Sequence, residues 1–190
     1  MRRRLIDATL ECLVADGYAG LTIGSIVERA GVSRGAPLHH FASKAALIEA
    51  AAEDLFAQVS HAVNAAYEEA RPDDDPLGTF LLLLWKRVFA ADMGTMIAEL
   101  SHASRHDADL AVIMERLLLR IYQIASRVSI RYVRTRSDSV PAARITILTQ
   151  WMMRGMAMDR HFGAPDALFE RYLEHWRTLL DSAIDDEAQG

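Results

Sequence analysis

Apolar residues along this chain recur at helical spacing, and no run alternates apolar and polar positions over a strand length. The pattern predicts an all-α protein of about nine helices. A first helix covers 2–16 and stops at Gly17. Thr22 is placed to cap a second helix, in which Ile23, Ile26, Val27 and Ala30 fall at i, i+3, i+4 and i+7 on one face. Gly31 suits the left-handed position that ends it, and Ser33 then caps a third helix after only a few turn residues. Longer helices follow at about 43–69, 77–91, 95–103, 107–135, 141–162 and 165–184. Their boundaries are read from Arg71-Pro72-Asp73-Asp74-Asp75-Pro76, Ser139-Val140-Pro141 and Gly163-Ala164-Pro165. Asp75 and Pro76 fit the cap and first helical position of the fifth helix. The acidic tail 185–190 reads as frayed.

Composition supports this outline. Ten glycines and five prolines in 190 residues are fewer than the roughly 12% of an average chain. Five of those glycines (Gly17, Gly20, Gly24, Gly31, Gly35) crowd into one short stretch, which marks short helices with tight connections there. The chain is 51% hydrophobic, yet its mean hydropathy is only +0.04, so the apolar residues are dispersed through a chain long enough to bury a core. The apolar run from Phe80 to Trp85 is far short of the ~20 residues of a membrane span. No signal-peptide pattern follows the opening arginines. Cys12 is the single cysteine, which rules out an internal disulfide and a cysteine-rich zinc site. The expectation is an intracellular, cytoplasmic protein with no membrane contact.

Two short helices joined by a glycine turn form a helix-turn-helix, whose second helix can enter a DNA major groove. The segment that carries it holds Gly17-Tyr18, Leu21-Thr22-Ile23, Ile26, Ala30-Gly31-Val32-Ser33-Arg34-Gly35, His39-His40-Phe41, Ser43-Lys44 and Leu47. In these residues the chain resembles the TetR/AcrR family of transcriptional regulators. The likeness covers about a quarter of the chain. The remainder fits in length and helical layout only. The domain expectation is a three-helix DNA-binding domain at 1–47 and a larger helical ligand-binding and dimerisation domain at 48–190.

The residue chemistry agrees. Thr22 and Ser33 bring hydroxyls and helix-start N–H groups toward phosphates. Arg34 is the candidate reader of a guanine edge, and Gly35 permits close backbone approach. Lys44, His39 and His40 can donate to phosphates or bases, and the Arg2, Arg3, Arg4 cluster can steady flanking DNA. Phe41 is core by the family comparison. Two positions depart from the family pattern. Leu38 stands where tyrosine is usual, which removes a phenol–phosphate contact. Pro37 would sit at the fourth helical position if Ser33 is the cap, removing one hydrogen bond and predicting a distorted or 3₁₀-like start.

In the body, Trp85, Phe89, Met93, Met96, Met114, Leu118 and Tyr122 cluster by position. The resemblance implies a small-molecule pocket among such residues, and an apolar or aromatic effector is the expectation; plain core is the other reading. The last two helices carry Ile145, Leu148, Met152 and Met156, then Leu168, Tyr172, Trp176 and Leu179, at helical spacing. Trp151, Met153, Phe169 and Leu173 widen both stripes beyond what one core covers. The resemblance implies a homodimer joined there. An arginine stripe (Arg116, Arg120, Arg127, Arg131, Arg134) reads as a solvated face paired with acids, or as an anion or second nucleic-acid surface.

Enzyme chemistry has no positive signal. Glu99-Leu100-Ser101-His102 is one Glu-x-x-His motif where a di-iron bundle needs two, and no phosphate loop or serine elbow is present. His102 and His106 are four apart and read as surface residues. No cofactor or metal is expected. The function expected is a DNA-binding regulator, most often a repressor in such families, released from a palindromic operator by a small-molecule effector. The alternative is a helical small-molecule- or metal-binding protein with a vestigial helix-turn-helix.

Net charge sharpens this. The total is −5. Residues 1–47 hold six basic residues (Arg2, Arg3, Arg4, Arg29, Arg34, Lys44) and four acidic ones (Asp7, Glu11, Asp16, Glu28), a net of +2, so the body carries −7. A mildly basic end on an acidic body predicts weak, easily salted-out non-specific DNA binding.

Overall fold

The computed structural model describes residues 1–132 and 142–181, and within them all side chains except those of Leu38, 125–132, 142–143 and 161. The side chains of Arg127 and Arg131, together with Arg134, the helix start at 139–141 and the tail 185–190, lie outside the described residues. Among those described, the chain is helical without strands. Its helices are α1 (Arg2–Gly20), α2 (Ile23–Ala30), α3 (Ala36–His40), α4 (Lys44–Ala70), α5 (Pro76–Leu84), α6 (Asp92–Ala103), α7 (Ala108–Tyr132), α8 (Ala142–Asp159) and α9 (Asp166–Asp181). A π turn at Trp85–Phe89 follows α5, and a 3₁₀ turn at Arg160–Phe162 follows α8.

The chain forms two compact units. The first comprises Met1–Val59 and Asp92–Leu119. In it α1 buries Leu5, Ile6, Leu10, Cys12 and Leu13 against α2 and α6. The first half of α4 contributes Leu47, Ile48, Ala51, Ala52, Leu55, Phe56 and Val59, a spacing that keeps them on one face. Ile97 and Leu100 of α6, with Leu110, Met114 and Leu117 of α7, complete this interior.

The second unit comprises Ser60–Ala91 and Arg120–Gly190. Asp75 caps α5 by accepting from the Gly78 N–H at 3.0 Å, and Pro76 opens the helix, as the sequence predicts. The sequence reading took 77–91 as one α-helix. The chain instead widens after Leu84, and the Ala90 N–H donates to the Trp85 carbonyl five residues back at 2.8 Å. Trp85, Val88 and Phe89 are all buried there, and Trp85 meets Phe169 of α9 with ring centroids 5.3 Å apart. Ile145, Thr149, Gln150 and Met153 of α8 and Phe169, Leu173 and Leu180 of α9 line the same unit's interior.

Candidate nucleic-acid interface

The interface is built from the end of α1 onward. Gly17 has φ 66° and ψ 178°, a backbone region essentially confined to glycine, and it kinks α1 before Tyr18. A Cβ there would stand 2.9 Å from Glu99 Oε2. That carboxylate instead accepts from the Tyr18 backbone N–H at 2.8 Å. The Tyr18 hydroxyl donates to Asp107 Oδ2 at 2.9 Å, while Asp107 Oδ1 accepts from the Leu110 N–H at 3.0 Å and so caps α7. Burial pushes the Tyr18 phenol up to about 12, and the bond to Asp107 adds to this. The Leu110 N–H, then the Tyr18 hydroxyl, hold Asp107 below the usual carboxylate range. The helix-turn-helix is thereby bolted to α6 and to the cap of α7 through the backbone N–H and the hydroxyl of one tyrosine.

Thr22 caps α2 in a reciprocal box: its hydroxyl accepts from the Ser25 N–H at 3.0 Å, and Ser25 Oγ accepts from the Thr22 N–H at 2.9 Å. Gly31 then takes φ 61°, and the Val32 N–H closes onto the Val27 carbonyl at 3.1 Å. Arg4 fastens α1 to this corner by donating to the Ala30 carbonyl at 2.6 Å. Arg2 lies over the Phe41 ring at 5.1 Å, and Arg3 pairs with Asp7 at 2.7 Å and Asp54 at 2.5 Å. All three arginines thus hold protein groups, where the sequence reading turned them toward DNA.

The third helix starts later than the sequence predicts. The Ala36 N–H bonds the Ser33 carbonyl at 3.0 Å in a turn, Gly35 is the residue before the helix, and Pro37 falls in the first helical turn. At that place its missing N–H costs no helical bond, because the first donors of a helix have no partner within it. Pro37 is buried, and its carbonyl accepts from the Phe41 N–H at 2.8 Å. Phe41 is core, 7% exposed.

Ser33, Arg34, Gly35, His39, His40 and Lys44 are exposed around α3 and the start of α4. Thr22 is exposed too, with its hydroxyl engaged in the cap. Lys44 Nζ stands 5.8 Å from the Tyr18 ring centre. The Leu38 side chain is outside the description. Short turns on an anchored frame leave a row of donors facing solvent, an arrangement suited to phosphates and base edges.

With this geometry in place, comparison is informative. Residues 5–51 match the family model described as bacterial regulatory proteins, tetR family. The helix-turn-helix segment is therefore similar to that of the tetR family. Over 78 residues it is 40% identical to the HTH-type transcriptional regulator CymR of Pseudomonas putida, covering 41% of this chain and 38% of CymR. The TetR-family match to curated relatives therefore spans well under two thirds of their length. A transcriptional regulator from Rhodococcus sp. Rha1 has a TM-score of 0.71 at 24% identity, covering 95% of this chain and 93% of that one. The multidrug binding protein EbrR, in a structure complexed with imidazole, has a TM-score of 0.66 at 20% identity, covering 97% and 94%. These structural likenesses establish a shared fold.

The other residues singled out in the sequence distribute as follows. Trp85 and Phe89 are buried and Tyr122 half-buried in the second unit, while Met93, Met96 and Leu118 are half-buried and Met114 buried in the first. Two open grooves lie in the first unit, one including Ile6, Ala46 and Ala50, the other Gly20 and Ser25; neither includes any of these seven. On α8 and α9, Leu148, Trp151, Tyr172 and Leu179 are exposed by 47, 58, 57 and 61%, and Met152, Met156, Leu168 and Trp176 are half-buried. Ile145 belongs to the unit's own interior, as do Met153, Phe169 and Leu173. Met158 and Phe162, which the sequence reading did not select, extend the exposed apolar face.

Arg116 bridges Glu49 at 3.0 Å and Glu53 at 2.8 Å, a solvated pair. Glu99, read from sequence only as half of a metal motif, serves Tyr18. His102 and His106 are exposed with ring centroids 6.3 Å apart. The links from Tyr18 to Glu99 and Asp107 span 81 and 89 positions. No local pattern signals them beyond the cap-forming Asp107 at a helix start.

Proposed function

We propose that the protein is a homodimeric transcriptional regulator that binds a roughly palindromic operator and, as a repressor, leaves it when a small apolar or aromatic effector binds. The observation that carries this is the exposed row Ser33, Arg34, Gly35, His39, His40 and Lys44 on a helix-turn-helix of the matched family. DNA binding resides in residues 1–47, with ligand binding and dimerisation in 48–190. Two copies place their α3 helices in major grooves about 34 Å apart. The apolar face of Leu148, Trp151, Tyr172 and Leu179 supports pairing through α8 and α9, since an exposed patch of this kind is otherwise a liability. EbrR, which has the same fold, is a multidrug binding protein, in keeping with a small-molecule effector. The effector prefers the conformation that does not fit DNA and so shifts the population toward it. The protein acts in the cytoplasm, where its operator lies. Among the described residues, no helix is long and apolar enough to cross a membrane.

Selection of bound duplexes from a random pool, followed by sequencing, tests this reading. A palindromic consensus is expected. Absence of enrichment together with absence of salt-sensitive binding would favour a ligand-binding protein with a vestigial helix-turn-helix. The dimer is tested separately by Trp151→Glu, which is expected to halve the mass in sedimentation equilibrium; a monomeric wild type removes that part.

A further inference from the structure

Lys44 is exposed and is the first residue of α4, directly after Ser43, whose hydroxyl caps the helix by accepting from the Ala46 N–H at 3.1 Å. A cation there meets the positive end of the helix dipole, and the first turn of α4 has no acidic residue to offset it. Among the described residues Lys44 forms no ion pair. Its contact is the face of the Tyr18 ring, with Nζ 5.8 Å from the centroid. The same tyrosine holds a carboxylate: its hydroxyl donates to Asp107 Oδ2 at 2.9 Å. One aromatic side chain thus carries a cation on its face and an anion at its hydroxyl, and the two charges are not joined.

A lysine that closes onto a carboxylate of its own chain is less free for DNA, because the carboxylate and the phosphate compete for one ammonium. We propose that Tyr18 is a positioning residue for DNA binding: its hydroxyl occupies Asp107 while its ring seats Lys44, so that the ammonium stays open to a phosphate. Asp107 is the decoy that this arrangement keeps disarmed. The role rests on the DNA-binding reading above and adds to it two residues that do not themselves touch DNA.

The surroundings fit this role. Tyr18, Lys44, Glu99 and Asp107 all belong to the first unit. Tyr18 is itself fixed, since its N–H donates to Glu99 Oε2 at 2.8 Å and the preceding Gly17 takes a backbone shape confined to glycine. Asp107 is engaged at both oxygens, by the Tyr18 hydroxyl and by the Leu110 N–H at 3.0 Å. The Lys44 charge reaches it all the same: after the Leu110 N–H and the Tyr18 hydroxyl, it helps to hold Asp107 low. The lysine stem is flexible, so its ammonium can swing toward an oxygen that loses its donor. A freed Oδ2 would offer it a charge-assisted bond.

The test is a double-mutant cycle on the full chain, using the duplex that wild type selects from a random pool. Affinity and its salt dependence are measured for wild type, Tyr18→Phe, Asp107→Asn and the double variant. Phenylalanine keeps the ring, and asparagine keeps the cap on α7 without the charge. Tyr18→Phe is expected to weaken binding about two- to fivefold, the scale of one exposed ion pair. It is also expected to flatten the slope of log affinity against log salt by about one. In the Asp107→Asn background the same substitution is expected to leave affinity and slope where they were, and likewise in a Lys44→Met background. A tyrosine that serves only to fasten α1 to α6 and α7 behaves differently, since loosening that frame weakens binding equally with and without the Asp107 charge. Equal losses in the two backgrounds overturn the proposal. So does an undiminished affinity in Tyr18→Phe, or a loss that persists with Lys44→Met. Any of these results on a selected palindrome sinks this role alone, whereas a wild type that selects no duplex sinks the regulator reading and this role with it.

Discussion

The helix-turn-helix end of the first unit and the second unit treat their exposed apolar groups differently. Around the helix-turn-helix, polar side chains are spent on the backbone: Thr22 and Ser25 close α2, Arg4 holds the corner at Ala30, and Tyr18 draws Glu99 and Asp107 together. Among the described side chains of residues 1–59, Met1 is the one large apolar group left exposed. What remains outside is cationic and polar. In the second unit, Leu148, Trp151, Met158, Phe162, Tyr172 and Leu179 stay outside. The contrast holds for the helix-turn-helix end of the first unit; farther along that unit Val112 and Leu119 are exposed and Ser101 Oγ is buried without a partner among the described residues. The second unit carries the broader exposed apolar face, and burial of such area is strongly favoured.

The largest effect that sharpens this contrast concerns the interior of the second unit. Trp85→Ala is expected to lower stability by about 3–5 kcal/mol in equilibrium denaturation, because a fully buried ring against Phe169 is lost. A loss under about 1 kcal/mol would mean that the π turn is loosely packed, and the contrast would then lie in packing rather than in polarity.

Gly17→Ala strikes the frame of the first unit. The required φ of 66° with ψ of 178° resists any Cβ, and Glu99 stands in its way. The expected cost is about 1–3 kcal/mol, read as a fall in melting temperature. An unchanged melt would show that the kink relaxes freely and that the bolt to α6 is dispensable.

Arg34→Ala separates presentation from support. Its guanidinium is exposed and has no bond among the described residues, so the melting temperature should hold while discrimination at one base pair drops by about 1–3 kcal/mol. Equal loss on all sequences would make Arg34 a phosphate contact.

Tyr18→Phe is the smallest change and carries a pH signature. Loss of the bond to Asp107 should cost about 1 kcal/mol near neutrality. The Tyr18 pKa is raised from 10.0 to about 12, so the neutral phenol's contribution is complete below pH 10 and is lost as pH rises toward 12. The variant should lack that alkaline loss. On the acid side Asp107 is held low, so its contribution is present above pH 3.8 and fades as pH falls below it. That fade should shrink only in part, because the Leu110 N–H remains the leading cause. Urea denaturation across pH 3–11.5 reads both limbs, and parallel wild-type and variant curves would dismiss the Tyr18–Asp107 bond as a structural tie.

Legibility differs along the chain for physical reasons. Caps, glycine turns and apolar periodicity are local, so the helix order, the stop at Gly17, the left-handed Gly31 and the cap at Asp75 could be read directly, while the burial of Phe41 came from the family resemblance. Where two local rules competed, reading went astray. Ser33 looks like a cap, yet Pro37 is better accommodated when the helix begins at Ala36, so the start moves two residues on. The apolar run after Leu84 gives no hint of a π turn, whose wider loop is set by what Trp85 and Phe89 pack against. The stripe on α8 was seen but not divided: Ile145 and Met153 go inward while Leu148 and Trp151 go outward, a choice made by the neighbouring helices.

The sequence by itself determined the helical class, the helix-turn-helix and the residues on its presenting face, because these depend on spacings of a few positions. Only the tertiary structure decided that Arg2 meets Phe41, Arg3 meets Asp54 and Arg4 meets Ala30, that Glu99 and Asp107 meet at Tyr18, and that Gln150 is buried on α8. Those outcomes depend on groups brought together from distant positions or enclosed by packing, and the strength of a polar contact is set by its surroundings rather than by its place in the chain.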